Sequence, residues 1–341
     1  MEERVVAVVG ATGAVGEEAL QVLAEVNFPI KKLVPLASAS SAGKTVDFKG
    51  RAVEVLELTE SVFEEQEIEI AIFSAGGSIS AKFAPFAVEA GAIVIDNTSH
   101  FRMDPKVPLV VPEVNPEDIA RYKESGVIAN PNCSTIQMVQ VLKPLDDLFN
   151  IKRVDVSTYQ ATSGAGKKGM EELVNQTKDL LNFKELKSEA FLHQIAMNLI
   201  PHIDVFQDNS YTKEEMKMVN ETIKILHKEI EVSATCVRVP VLRSHSESIT
   251  ITFENDVDLE KAINALDNFE NVKVIDDIDN NKYPMPIDST GTDLTYVGRV
   301  RKDIYNSKIL HLWCVADQVR VGAATNAVRI AQKFIETYED R

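Results

Sequence analysis

A chain of 341 residues exceeds what one ordinary hydrophobic core organises, so two domains are expected. With 45% hydrophobic and 26% charged residues the composition is that of a globular protein in water, and no apolar run is long enough to span a bilayer. A net charge of −16 argues against a nucleic-acid partner, because phosphate backbones need a basic footprint, and any anionic ligand must be held by a local cluster of positive charge.

The run Arg4-Val5-Val6-Ala7-Val8-Val9 predicts a strand buried on both faces. It enters Gly10-Ala11-Thr12-Gly13-Ala14-Val15-Gly16, and a helix follows with Leu20, Val22, Leu23 and Val26 on its apolar side. Strand, glycine turn and helix in this order point to dinucleotide binding. The glycines let the backbone turn sharply and approach a pyrophosphate, whose charge meets the helix N-terminus. The spacing is Gly-x-x-Gly-x-x-Gly, not the commoner Gly-x-Gly-x-x-Gly, and a tight turn without a ligand is the alternative. The next strand, over 33–38, ends where the adenosine ribose would lie. NAD selects an acidic residue there. This chain instead has Ser38-Ala39-Ser40-Ser41-Ala42-Gly43-Lys44, whose hydroxyls, N–H groups and lysine suit a 2′-phosphate and favour NADP.

Further strands are expected over 68–73, 93–97, 109–111 and 127–129, with a helix over 80–90. Strands alternating with helices predict an α/β architecture, a doubly wound parallel sheet of the Rossmann kind whose ligands collect at the carboxyl ends of the strands. The turns at 10–16, 38–44, 74–77 and 97–102 lie at such ends, as does Cys133, so the thiol and the cofactor are expected in one crevice. Arg102, after the 93–97 strand, is where an anionic substrate group would approach.

The stretch Asn130-Pro131-Asn132-Cys133-Ser134-Thr135 joins the strand over 127–129 to a helix over 134–149. Cys133 therefore sits at or beside a helix N-terminus. Unpaired N–H groups there favour the thiolate, the nucleophilic form of cysteine, and offer donors to an oxyanion. An inert buried thiol is the competing reading. Cys133, Cys236 and Cys314 show no zinc spacing and no disulfide framework. No metal is expected. Few cysteines and an N-terminus without a secretory pattern suggest a reducing cytoplasm.

Beyond 149 the pattern changes. Strands are expected over 153–162, 233–241, 247–253, 272–276, 295–301 and 309–315, and helices over 214–230, 259–266 and 323–338. These describe a mixed, largely antiparallel sheet in an α+β second domain, with the last helix packed back on the first. Arg238 suits a carboxylate, and His245 suits a proton carrier beside a reactive cysteine. On one unbroken strand the two would stand roughly 23 Å apart on opposite faces. Pro240 argues against such a strand, and a bend near 242–244 would bring them together. Taken singly, a surface ion pair and a solvated loop histidine are the plainer readings. His100, His193, His202, His227 and His311 compete for the base role. Glu214 and Lys217 have the spacing of an ion pair on one helix face. Gln160, Ser163 and Gly164 lie in a polar, glycine-containing loop of the kind that meets a cofactor.

Together these motifs resemble the aspartate-β-semialdehyde dehydrogenase family along nearly the whole chain: the 10–16 turn, Arg102 in His100-Phe101-Arg102-Met103-Asp104-Pro105, the 130–135 stretch, Gln160 in Tyr159-Gln160-Ala161-Thr162-Ser163-Gly164-Ala165-Gly166, Glu214 with Lys217, and Arg238 with His245. The resemblance implies Cys133 as acyl-thioester nucleophile and His245 as acid/base, with Gln160 orienting the acyl group. It implies that Arg238 binds the substrate α-carboxylate, Glu214 the amino group, and Arg102, Lys217 and Asn132 the phosphate. Gly10, Thr12, Gly13, Ala14, Val15, Ser38, Ser40, Ser41, Ser163, Gly164 and Gln318 would contact NADP. Many relatives carry arginine where this chain has Ser40, which leaves NAD use open.

The implied reaction is reduction of L-β-aspartyl phosphate to L-aspartate 4-semialdehyde, in lysine, diaminopimelate, threonine, methionine and isoleucine biosynthesis. The domains are then 1–132, NADP-binding and completed by 319–341, and 133–318, catalytic and dimerising, with a homodimer expected from the resemblance. Two alternatives stand beside this. One is a reductase of another acyl phosphate or acyl-CoA; the other is a nucleotide-binding regulator without catalysis.

Overall fold

A computed structural model describes residues 2–338. The chain divides into two compact units. One is the chain up to Asn132 together with the segment from Ala323 on; the other is Cys133–Gly322.

The first unit is built on a six-stranded sheet in the order Leu56–Glu57, Ile30–Ala37, Arg4–Val9, Ile70–Phe73, Ile93–Asp96, Val127–Ala129. Every pairing is parallel. The apolar runs are buried on both faces, as parallel strands require. Arg4–Val9 lies inside the sheet with strand order running outward on both sides of it, so the turn that follows sits at the topological switch point. Two glycines make that turn feasible. Gly10 has φ +86° and packs on the backbone of Ser74, and a Cβ on Gly16 would lie 2.1 Å from the Gly10 carbonyl oxygen. The helix Ala14–Glu25 buries Ala19, Leu20, Val22 and Leu23. The final helix, Thr325–Tyr338, adds Ala327, Val328, Ile330, Ala331, Phe334 and Ile335 to the same core. Of the expected segment 319–341, residues 319–322 group with the second unit, and 339–341 lie outside the described residues.

One local expectation is corrected and one element is new. Residues 109–111 make no strand, only a single bridge from Leu109 to Ala129. Pro108 and Pro112 flank them and cannot donate to a ladder. A hairpin, Thr45–Phe48 with Arg51–Glu54, was not anticipated. Its turn places Lys49 at φ +52° and Gly50 at φ +74°, the left-handed pair of a tight hairpin without the usual Asn-Gly signal.

The second unit carries a mixed six-stranded sheet in the order Glu231–Arg238, Ile151–Gln160, His245–Phe253, Ile309–Ala316, Thr295–Lys302, Val272–Val274. The two outer pairs are parallel and the inner pairs antiparallel. One face is covered by Cys133–Phe149, Lys213–Leu226 and Leu259–Asp267, whose Met138, Leu142, Met218 and Leu266 pack with Val154, Ile249, Ile251 and Leu312. The helix expected over 214–230 stops at Leu226, because His227 turns left-handed at φ +51°. A second helix, Gly166–Leu181, stands in a region with no expected element. It is mostly polar outside, but its Gln176 accepts from the N–H groups of Ile195 and Ala196 and holds the 187–196 loop.

Candidate active site

The strand Glu231–Arg238 ends level with Gln160, its partner in register. On the other side of Ile151–Gln160, Ser246 pairs with Tyr159, so His245 opens its strand at the same level. Arg238, Gln160 and His245 therefore form one row across three adjacent strands, and the chain between Arg238 and His245 crosses the end of the middle strand. Backbone bonds pin this crossover: Thr162 N–H donates to the Val241 carbonyl at 2.8 Å and Ser163 N–H to Leu242 at 3.1 Å. Ser244, at φ +76°, makes the last turn into His245. The bend expected at 242–244 is real, and strand order rather than distance along one strand brings the two residues together.

The row is buried, and each member is bonded to the residues around it. Gln160 Nε2 donates to Glu214 at 3.0 Å, and Lys217 Nζ donates to the other Glu214 oxygen at 2.9 Å. Lys217 also meets Asp204 at 2.9 Å, a partner that sequence spacing did not indicate. Burial opposes the Lys217 charge, but Glu214 and Asp204 outweigh it and hold the ammonium above the usual lysine value. Arg238 donates from Nη1 to the Ala161 carbonyl at 2.7 Å. Burial pulls its pKa down, offset in part by Glu214 and Cys133. The Arg238 guanidinium lies against Gly164, where a Cβ would stand 2.7 Å from Nη1.

His245 is fully buried, and its Nδ1 accepts the Ala161 N–H at 3.0 Å. The neutral ring therefore carries its proton on Nε2, which has no protein partner. Burial and then the Arg238 charge push the imidazole pKa down to about 3. His100, His193 and His227 are exposed, His202 stacks on Phe206, and His311 binds Asp303 and Thr250; none shares the row.

Cys133 begins the helix Cys133–Phe149. It is half-buried, whereas Cys236 and Cys314 are buried, and none of the three forms a disulfide. Burial raises both interior thiols, so only Cys133 joins access to a helix N-terminus. Gly322 packs against it, since a Cβ there would come within 2.5 Å of the Cys133 Cβ. Gln318 accepts from the Ser244 N–H at 2.8 Å and bonds Ser163, joining two expected cofactor residues behind the crossover. Sequence reasoning missed Asp317. Fully buried, it takes the Arg243 Nε at 2.7 Å and the Gly291 N–H at 2.7 Å, fixing the turn before His245. An acidic residue beside Gln318 in a hydrophobic strand end was the available signal.

In the first unit, Gly13 is exposed and caps the Ala14–Glu25 helix without a side-chain bond. Thr12, Ala14 and Val15 are half-buried around it. A Cβ on Gly13 would meet only the Gly10 carbonyl, at 3.3 Å, so the turn presents open backbone. At the end of the neighbouring strand the Ser38 and Ser40 hydroxyls are 3.0 Å apart, and Lys44 Nζ is 3.5 Å from Ser41 Oγ. This set fits a dinucleotide with a 2′-phosphate: open N–H groups for the pyrophosphate, hydroxyls and a lysine for the extra charge. Arg102 is buried and donates to the Asn97 carbonyl at 2.8 Å; Asn132, also buried, ends the unit.

Comparison with known proteins places these residues in context. The semialdehyde dehydrogenase NAD-binding domain model matches residues 5–122, and the semialdehyde dehydrogenase dimerisation domain model matches 142–321. The aspartate-semialdehyde dehydrogenase of Campylobacter jejuni is 67% identical, covering 97% of each chain. That of Aquifex aeolicus is 55% identical over 97% of this chain and 98% of its own. A crystal structure of aspartate semialdehyde dehydrogenase II from Vibrio cholerae, complexed with ASA, superposes with a TM-score of 0.96 at 49% identity, over 99% of this chain and 100% of that one. The Candida albicans enzyme with NADP gives 0.75 at 26% identity, over 98% of each.

Proposed function

The chain belongs to the aspartate-semialdehyde dehydrogenase family, and from that premise we propose which of its residues carry the reaction. The reaction is the NADPH-dependent reductive dephosphorylation of L-β-aspartyl phosphate to L-aspartate 4-semialdehyde, a step of the aspartate pathway of amino-acid biosynthesis. The observation that carries the assignment of residues is the row of Arg238, Gln160 and His245 in the unit whose one accessible cysteine starts a helix.

In this reading the Cys133 thiolate attacks the acyl carbon, a carbon–sulfur bond forms, and the bond to phosphate breaks. The thioester divides one difficult step into two easier ones. NADPH, when bound, supplies the hydride that reduces it. His245 directs its Nε2–H to the acyl oxygen, which becomes anionic as the tetrahedral centre forms. To carry a proton outright, as the resemblance implies, Nδ1 has to exchange the Ala161 N–H for a proton of its own. The low imidazole pKa, set by burial and then by the Arg238 charge, opposes that protonation. Return of the electron pair to sulfur releases the aldehyde.

Arg238 takes the α-carboxylate and Glu214 the ammonium; Lys217, Arg102 and Asn132 take the phosphate, and Gln160 orients the acyl group. Gly10, Thr12–Val15, Ser38, Ser40, Ser41, Ser163, Gly164 and Gln318 hold the dinucleotide. The homodimer forms through the sheet face away from the helices, where the half-exposed rings of Tyr159 and Trp313 lie tilted against each other with centroids 5.3 Å apart. Among the described residues no helix is long and apolar enough to cross a membrane. Cysteines kept as thiols suit a cytoplasmic setting.

The test is oxidation of aspartate semialdehyde with and without phosphate, using NADP and NAD in parallel. Phosphate-dependent turnover with NADP preferred is expected. Binding of NADPH without turnover would overturn the catalytic reading, and equal activity on an acyl phosphate lacking the amino group would overturn the role of Glu214.

A further inference from the structure

One fully buried carboxyl has no part in the reaction just described. Glu247 lies two residues beyond His245 on the same strand, between Cys314 and Thr158 on the neighbouring strands. Neither of its oxygens has a hydrogen-bond partner. The side chain facing it from the helix above is Gln137. Gln137 stands one turn along the helix that Cys133 begins. Its Nε2 reaches the His245 carbonyl at 3.4 Å and the Cys314 sulfur at 3.9 Å. Its Oε1, also buried, has no donor. An ionised Glu247 would be a fully buried charge with no cation beside it, and Gln137 Oε1 would still lack a donor, an arrangement interiors avoid.

We propose that Glu247 is a positioning residue held as the neutral acid, whose O–H donates to Oε1 of Gln137 and so fixes the amide that ties the Cys133 helix to the backbone of His245. With that proton in place the buried donors and acceptors of Gln137 are all used: Oε1 by Glu247, Nε2 by the His245 carbonyl and the Cys314 sulfur. The surroundings agree. Burial drives the Glu247 carboxyl well above the usual carboxylate range, the Gln137 amide pulls the other way by less, and no cation acts on it. The other titratable groups facing it, the Cys314 and Cys236 thiols, are themselves pushed up by burial, and His245 is neutral.

The sign of the pH effect follows. The folded state keeps a proton that the unfolded chain gives up near the ordinary glutamate value. Stability from this site is therefore whole below that value and falls as pH rises toward the folded pKa. Glu247→Gln keeps a donor for Gln137 and cannot ionise.

The proposal rests on Cys133 and His245 as the reacting residues, but melting curves do not, and they test the protonation separately. E247Q should melt above the wild-type protein at pH 8 by at least about 3 °C, with the gain shrinking toward pH 5. Its kcat should stay within about twofold of wild type. Glu247→Met, with similar length and no donor, should lose about tenfold in kcat with KM for aspartate semialdehyde unchanged, the effect of one lost hydrogen bond. A pH-independent or absent gain in E247Q overturns the neutral acid; equal kcat in E247M and E247Q overturns the positioning role. If E247M does not fold, the E247Q melting series still decides the protonation.

Discussion

Gly164→Ala tests whether this glycine is there to make room for Arg238. The added methyl would stand 2.7 Å from Arg238 Nη1, where ordinary contact begins at 3.4 Å, so the guanidinium must retreat by 3.4 − 2.7, about 0.7 Å. The same methyl would be 3.4 Å from the His245 ring, close enough to touch without moving it. Arg238 is the far end of a flexible side chain, so the fold absorbs the change at small cost. Its bond to the Ala161 carbonyl, at 2.7 Å, does not survive such a shift unchanged. A planar fork loses its two-point grip on a carboxylate when displaced, at a cost of about 2 kcal/mol, or about 30-fold in kcat/KM. The assay is initial velocity at varied aspartate semialdehyde with saturating NADP and phosphate. KM for the semialdehyde should carry the loss, KM for NADP should stay within about twofold, and the melting temperature should fall by no more than about 3 °C. An unchanged semialdehyde KM with a raised NADP KM would refute the reasoning, because the added methyl would then bear on the dinucleotide that the Gly164 backbone meets and not on the arginine.

Further outcomes follow from the site. Cys133→Ser should abolish turnover and leave NADPH binding intact, as measured by fluorescence titration, and iodoacetamide should alkylate Cys133 while sparing the buried Cys236 and Cys314, as mass spectrometry would show. Arg243→Ala removes the cation paired with the buried Asp317, which keeps only backbone N–H donors such as Gly291, and should cost about 3 kcal/mol in denaturant unfolding, with a parallel drop in kcat because the turn before His245 loosens. His245 is held neutral in the fold with its pKa depressed to about 3, so the stability it confers is present above the unfolded value near 6.5 and lost as pH falls toward 3; His245→Gln should flatten the melting temperature between pH 4 and 6 relative to wild type. Ser40→Arg should raise the NADP-to-NAD ratio of kcat/KM by about tenfold, the value of one charged contact to the 2′-phosphate, and an unchanged ratio would show that this loop does not meet the ribose.

How much of this was legible in the sequence depends on how local the determining signal is. The first unit reads directly, because continuous apolar strands and a glycine turn encode a parallel sheet and its switch point within short windows. The exceptions are equally physical. At 109–111 the apolar run has the composition of a strand, but the flanking prolines deny it a ladder. At 45–54 the residues are too polar to look like strands, and only the positive φ angles of Lys49 and Gly50 reveal the hairpin. The helix Gly166–Leu181 escaped notice because it buries little apolar surface and fastens its neighbouring loop through Gln176 and Glu172.

The row of Arg238, Gln160 and His245 was legible only as a set of residue types. Arg238 and His245 carry no mark of proximity along the chain, and a single strand would hold them apart. Their meeting depends on strand order: the two strands flank Ile151–Gln160, and the crossover returns His245 to the level at which Arg238 ended. That crossover is then secured from behind, by Asp317 through Arg243 and by Gln318 through the Ser244 N–H. A short window cannot report such partners, since each lies more than seventy residues away from what it holds. The division of labour is therefore specific. Residue chemistry supplies the thiol, the imidazole and the guanidinium; sheet topology sets the imidazole level with the guanidinium; and the buried polar groups behind the row decide whether that placement holds. If that ordering is right, Arg243→Ala, which removes no catalytic group, should reduce kcat and spare the KM for NADP, whereas Arg238→Ala should strike the semialdehyde KM first.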